Sequence, residues 1–423
     1  STPSNSSAAS DVYKRQLILG ALAEGNTVIK NPLNSLDTRS ALLAVQLLGA
    51  GIYEREHDWT VIGEGLRPPP GELDLGNSGT ALRLLLGALA AYPGVEATLT
   101  GDESLRSRPL ERVVDPLREM GSDAVCLEEE GRAPVRVRGK RLSGISYELP
   151  IPSAQVKSAL LLAGLGADGA VEIIERTASR DHTERMLPEF GVAPKIVAGN
   201  GRRALIVPVG MKPKAAEVTV PGDISAAFSW IALGWLLPGE GVTVRNVGLN
   251  PTRLGALRVL ESAGARTVVQ QEGSYGSEPY GVINVFPSRL KGLRVDADEV
   301  PSLIDEIPLL ALVATQADGE SVIQGASELK VKESDRLRTT AETLAAFGAQ
   351  VEIADGGLKT SGPQQLHPAT VNCAGDHRIA LLALACAVLA GGESEITGFS
   401  CADTSYPGAT VDAKALLQGV ELI

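Results

Sequence analysis

Residue types suited to gripping oxyanions gather in short polar clusters, each running into small apolar residues. GNSGTALR (76–83), PSAQVKS (152–158), GDIS (222–225), IDEIP (304–308) and GDHRIA (375–380) are of this kind. Ser, Asp or Asn just ahead of an apolar run marks a helix start. Such starts expose unpaired N–H groups and the positive end of the helix dipole, so they attract anions. Basic clusters lie outside them: LRSRPLER (105–112), SRDHTERM (179–186) and KVKESDRLR (330–338). The combined reading is a receptor for phosphate and carboxylate groups.

Each cluster taken singly also has a plain structural reading. GNSGT is a Gly-rich turn, and Asp223, Asp305 and Asp376 stand where an N-cap is wanted. LRSRPLER fits a solvated turn, and KVKESDRLR an exposed first helical turn with i,i+4 pairs. Gln155 fits a local hydrogen bond. Two features favour function: the clusters recur at equivalent places in a repeat, and they differ from copy to copy. A scaffold needs only similar starts.

That repeat sets the architecture. A small-residue apolar helix runs into a Gly and a short strand in GNTVIKN (25–31), GVEATLTG (94–101), GAVEIIE (169–175), GVTVRN (241–246), GESVIQG (319–325) and GESEITG (392–398). Between 22 and 29 residues after each Gly, an amphipathic helix stops at Gly49, Gly121, Gly191, Gly264, Gly348 or Gly419. Glycine past the last apolar residue favours a left-handed helix stop. The pattern predicts six β/α units, each with one helix apolar all round and one two-faced. Helices such as 81–91, 158–167, 226–237, 308–317 and 379–390 should be buried on every side, whereas 110–121 and 336–349 should lie outside.

A chain of 423 residues exceeds one comfortable core, so two α/β domains of three units are expected, 10–222 and 223–423. The crossover is placed near Pro213–Asp223, with the halves facing across a cleft whose closure would exclude water. A net charge of −12 argues against general nucleic-acid binding, and no apolar run reaches spanning length. The four cysteines lack CxxC spacing and the four histidines form no HxxxH pair, so neither a disulfide framework nor a metal site is expected. A cytoplasmic protein is implied. STPSNSSAASDVYK (1–14) stands outside the repeat and reads as a tail, with residues 1–9 before the first domain and a helix over 15–23.

With the motifs in view, the chain from about Arg15 onward resembles the 5-enolpyruvylshikimate-3-phosphate synthases, also called 3-phosphoshikimate 1-carboxyvinyltransferases, of the bacterial class II branch. The carrying segments, in order, are GNSGTALR, LRSRPLERVVDPLREMG, PSAQVKSALLLAGL, SRDHTERML, VPGDISAAF, IDEIPLLA, ELKVKESDRL and GDHRIA. The resemblance implies an inverse α/β barrel in each of two similar domains, and a monomer without cofactor or metal. It implies transfer of the enolpyruvyl group of phosphoenolpyruvate to the 5-hydroxyl of shikimate 3-phosphate. By motif match, Gly79, Arg108, Gln155, Arg336 and Arg378 hold phosphoenolpyruvate. Arg15, Ser153, Ala154, Gln155, Arg180, Asp305 and Lys332 hold shikimate 3-phosphate. Asp305 and Glu333 are the acid–base carboxylates, and these groups are expected to converge. Gly79 also implies sensitivity to glyphosate once the family's PG[SD]KS start is restored.

One motif departs from the family. Its first buried helix opens with PG[SD]KS, and alignment through Arg15 puts Ser10 and Asp11 at the Lys and Ser positions. Asp11 brings negative charge toward bound phosphate, and a truncated or joined start is expected. Losing one charge-stabilising donor typically costs roughly 10²–10³ in rate, which predicts a folded scaffold with severely reduced turnover. The sister transferase acting on UDP-N-acetylglucosamine is the alternative, disfavoured because no Cys lies near LRSRPLER. A ligand-binding pseudoenzyme is the other.

Overall fold

The six largely buried helices are α1 (Ala8–Leu22), α2 (Gly79–Ala90), α3 (Ala154–Gly164), α4 (Ile224–Leu236), α5 (Ile307–Gln316) and α6 (His377–Ala390). The structure is a computed structural model that describes residues 8–55, 58–199 and 201–416. Every residue of α2 is buried, as is α4 from Ile224 to Trp235. The two-faced helices, such as Leu36–Leu47, Glu111–Glu119 and Arg336–Ala346, bury one side only.

The chain forms two compact units, one of Ala9–Val220 with Tyr275–Glu278, the other of Pro221–Ser274 with Pro279–Ile423. The first unit holds three four-stranded sheets around α1, α2 and α3. Within it α2 meets α3 almost backbone to backbone: a Cβ on Gly87 would come within 2.1 Å of the Ala159 carbonyl oxygen. Glycine is required there by the closeness of the approach. The segment expected as a crossover supplies a strand, Glu217–Thr219, which pairs parallel with Gly25–Lys30. The second unit surrounds α4, α5 and α6 with sheets of three, four and two strands among the described residues.

Two expectations change. Residues 8–14, read as tail, are the opening turns of α1, where Val12, Tyr13, Leu17 and Ile18 are buried and the Tyr13 ring meets Trp59 edge-on at 5.3 Å. Apolar residues at helical spacing outweighed the Ser-rich composition. Residues 1–7 and Gly419 lie outside the described residues. The second glycine series otherwise has positive φ at Gly49, Gly121, Gly191, Gly264 and Gly348. In the first series Gly169 does not; its role is steric, since a Cβ there would lie 3.0 Å from the Gly144 nitrogen.

Candidate active site

In the first unit the start of α2 carries a cationic corner. Arg83 donates from Nη1 to the Gly79 carbonyl (3.0 Å) and from Nη2 to the Pro109 carbonyl (3.1 Å). Arg108 donates from Nη2 to Asn77 Oδ1 (2.5 Å) and Ser104 Oγ (3.2 Å). Both guanidiniums are nearly buried and flank Gly79, whose missing Cβ would lie 2.7 Å from Arg83 Nη1 and 3.0 Å from Arg108 Nη1. Two fixed cations beside a helix start make a strong place for an anion. Arg106 of the same motif points outward to Glu128, so LRSRPLER divides between surface and site.

One residue along α2, Thr80 links three further candidates. Gln155 Nε2 donates to Thr80 Oγ1 (2.8 Å), and Thr80 donates onward to Asp11 Oδ1 (2.9 Å). The Arg180 guanidinium lies 3.7 Å from the other Asp11 oxygen. Gln155 therefore bonds across helices and not locally. Ser153 caps α3, its hydroxyl accepting from the Val156 amide, with Ala154 as the first helical residue. Arg15 stands behind this group, with donors directed to Thr183 Oγ1 (2.8 Å), the Asp11 carbonyl (2.6 Å) and Ser158 Oγ (3.3 Å). Burial lowers its pKa, against the opposing charges of Asp11 and Glu184. Lys157, within PSAQVKS, points away into a buried ion cluster with Glu175 (3.1 Å) and Glu184 (2.8 Å).

In the second unit the three aspartates at helix starts have separate fates. Asp223 caps α4 through the Ser225 amide (2.7 Å) and pairs with Arg253, as the plain capping reading expects. Asp376 caps α6 through the Arg378 amide (2.9 Å) and also holds Arg336 Nε (2.8 Å). Asp305 is not a cap. It lies in the 3₁₀ turn Ile304–Glu306 ahead of α5, and its carboxylate reaches Arg336 Nη1 (3.3 Å) and Arg378 Nη2 (3.9 Å). The Pro308 at the start of α5 needs no amide partner, which relieves Asp305 of that duty.

Arg336 is the hub. Its guanidinium, 2% exposed, contacts Asp305, Glu333 and Asp376 at once. Burial alone would lower its pKa, but Asp376, Glu333 and Asp305 together raise it above the ordinary value. Buried His377 goes the other way: desolvation, reinforced by Arg378, pushes it down to about 4, so it is neutral near pH 7. Glu333, Asp376 and His377 offer ligand atoms within 4.8 Å of one another, but Arg336 already supplies the positive charge there and bonds both carboxylates. Lys332 is half-buried beside Glu333, just after the Ser327–Val331 turn.

The first unit thus gathers Gly79 with Arg108, and Gln155 with Arg180. The second gathers Asp305, Glu333, Arg336 and Arg378. Thr80, Arg83, Asp376 and His377 were not among the candidates, although each lies inside a quoted motif. Their signal was position: Thr80, Asp376 and His377 lie within a residue or two of a helix start, and Arg83 lies one turn further along α2.

The family model for EPSP synthase (3-phosphoshikimate 1-carboxyvinyltransferase) matches residues 6–410. The chain belongs to the EPSP synthase family. It is similar to the 3-phosphoshikimate 1-carboxyvinyltransferase of Bacillus licheniformis, 43% identical over 405 residues that cover 94% of this chain and 92% of that protein. The corresponding protein of a Synechococcus species is 44% identical over 400 residues, covering 94% and 90%. Among solved structures, EPSP synthase from Acinetobacter baumannii superposes with a TM-score of 0.82 at 35% identity, covering 98% of this chain and 94% of that one. The enolpyruvyl transferase NikO from Streptomyces tendae, at 19% identity and TM-score 0.77, shares the fold. The fold is therefore that of the EPSP synthase family. No helix among the described residues is long and apolar enough to cross a membrane.

Proposed function

We propose that this chain transfers the enolpyruvyl group of phosphoenolpyruvate to the 5-hydroxyl of shikimate 3-phosphate, releasing phosphate, in aromatic amino-acid biosynthesis. Membership of the EPSP synthase family, with relatives that carry this activity in their name, supports the reading. The observation that carries the residue assignment is the meeting of Asp305 and Glu333 on one guanidinium, Arg336. The reaction needs one group to accept the hydroxyl proton and another to protonate the methylene carbon of phosphoenolpyruvate. The hydroxyl oxygen bonds to C2 as its proton passes to Asp305, and C3 takes a proton from Glu333. That intermediate then returns a C3 proton to the Glu333 carboxylate as its C2–O bond to phosphate breaks, and the phosphate leaves with the proton held by Asp305.

Arg108, Arg336 and Arg378, with Gly79 and Gln155, are assigned to phosphoenolpyruvate. Ser153, Ala154, Gln155, Arg180, Asp305 and Lys332 are assigned to shikimate 3-phosphate. Arg15, whose donors are engaged internally, is a positioning residue for Ser158 and Thr183. Both substrates are small anions, and the chain acts as a monomer in the cytoplasm. Ser10 and Asp11, in place of the family's Lys and Ser, lower turnover by roughly 10²–10³. Phosphate release would be measured with both substrates and with UDP-N-acetylglucosamine as the rival acceptor. Turnover with shikimate 3-phosphate, lowered roughly 10²–10⁴-fold by Asp305→Asn, is expected; reaction only with the nucleotide sugar would overturn the assignment.

A further inference from the structure

Motif alignment expects Asp11 near bound phosphate, and the structure shows which groups hold its carboxylate. Its carboxylate is taken up by the side chains that ring the first-unit anion site: Thr80 Oγ1 at 2.9 Å on one oxygen, Arg180 Nη1 at 3.7 Å from the other. The Thr80 hydroxyl is oriented toward Asp11 because it accepts from Gln155 Nε2 at 2.8 Å, leaving its proton for the carboxylate. Arg15 Nη1 fixes the backbone beneath, donating to the Asp11 carbonyl at 2.6 Å. The Asp11 side chain keeps 24% of its surface exposed and Arg180 keeps 11%, so ligand can reach both.

We infer that Asp11 is a resident anion that competes with the substrate phosphate for Arg180 and so sets the affinity of this site. The inference rests on the proposed assignment of Arg180 to a phosphate monoester. A phosphate drawn to Arg180 must lie within a few ångströms of the Asp11 carboxylate, and like charges that close repel strongly even in a partly wet setting. The incoming group must either share the guanidinium with Asp11 or displace it from Thr80. In both cases binding is weaker than the same cations would otherwise give. Asparagine at this position keeps the size and the acceptor for Thr80 but removes the charge. At about 6 Å and an effective dielectric constant of about 40, one charge removed corresponds to about tenfold in affinity.

A purely structural Asp11, there to aim Arg180, predicts the opposite sign: removing it would loosen the guanidinium and weaken phosphate binding. The test is titration calorimetry on the full chain and on Asp11→Asn, at fixed ionic strength, with inorganic phosphate and with shikimate 3-phosphate. Both ligands are expected to bind about tenfold more tightly to the variant, and Asp11→Asn combined with Arg180→Gln should lose that gain. Asp11→Ser, which also removes the charge, repeats the measurement should the asparagine variant not fold. Unchanged or weakened phosphate affinity in the folded variant overturns the inference. If inorganic phosphate shows the gain but shikimate 3-phosphate binds neither protein, the inference stands and the substrate assignment falls. If shikimate 3-phosphate binds both proteins equally, the assignment stands and the inference falls.

Discussion

Gly79→Ala is a sharp test of the cationic corner on α2. The new methyl would lie 2.7 Å from Arg83 Nη1 and 3.0 Å from Arg108 Nη1, where ordinary contact begins at 3.4 Å. The guanidiniums must therefore retreat by 0.7 Å (3.4 − 2.7) and 0.4 Å (3.4 − 3.0). Arg83 cannot do so freely, because it is bonded on one side to the Gly79 carbonyl and on the other to the Pro109 carbonyl. Arg108 is likewise tied to Asn77 and Ser104. Misplacing a binding group by about 1 Å costs up to about 10²-fold, so shifts of this size should lower kcat/KM for phosphoenolpyruvate roughly 10- to 50-fold. The overpacking should cost about 1 kcal/mol of stability, too little to unfold the chain. Phosphate release would be followed while phosphoenolpyruvate is varied at saturating shikimate 3-phosphate, with calorimetry of each substrate alongside. The KM for phosphoenolpyruvate should rise while shikimate 3-phosphate affinity moves less than about twofold. A phosphoenolpyruvate KM unchanged in a normally folded variant would refute the role assigned to this corner.

Asp305→Asn and Glu333→Gln should each lower kcat by roughly 10²–10⁴, read in single-turnover assays; retention of full turnover by either would remove it from the acid–base pair. Lys157→Met leaves buried Glu175 and Glu184 to share Arg203 (3.5 and 3.2 Å) as their remaining cation, and thermal unfolding should show a loss of about 2–3 kcal/mol, below the full cost of an unpaired buried charge. A melting point equal to the parent's would mean the cluster contributes nothing. His377, pushed down to about 4 by burial and Arg378, binds its proton less readily folded than unfolded. Its contribution is therefore fully present above about pH 6.5 and is lost as pH falls through 4, a swing of about 3 kcal/mol. Urea unfolding between pH 7 and 4 should show a shallower decline in His377→Gln, and parallel curves for the two proteins would contradict this.

Local chemistry was readable from the residues alone. Five of the six buried helices, α2 to α6, are legible because small and apolar residues on nearly every face leave burial as the only stable outcome. The glycine stops at Gly49, Gly121 and Gly264 follow from backbone sterics within one residue, which need no distant partner. The polar clusters at helix starts are legible for the same reason, since a cap is satisfied within three residues. Spacing alone did not tell which aspartate caps and which is released for chemistry; the family resemblance singled out Asp305. Asp223, Asp305 and Asp376 look alike in sequence, yet only Asp305 escapes capping, because α5 opens through a 3₁₀ turn. Nor did spacing reveal that Gln155 would reach Thr80, or that Asp11 would face Arg180. Those pairings join residues far apart in the chain, and their distances are set by how closely helices approach. The Gly87–Ala159 contact lets α2 and α3 come nearly to backbone distance, and only the folded chain decides which side chains that closeness brings together.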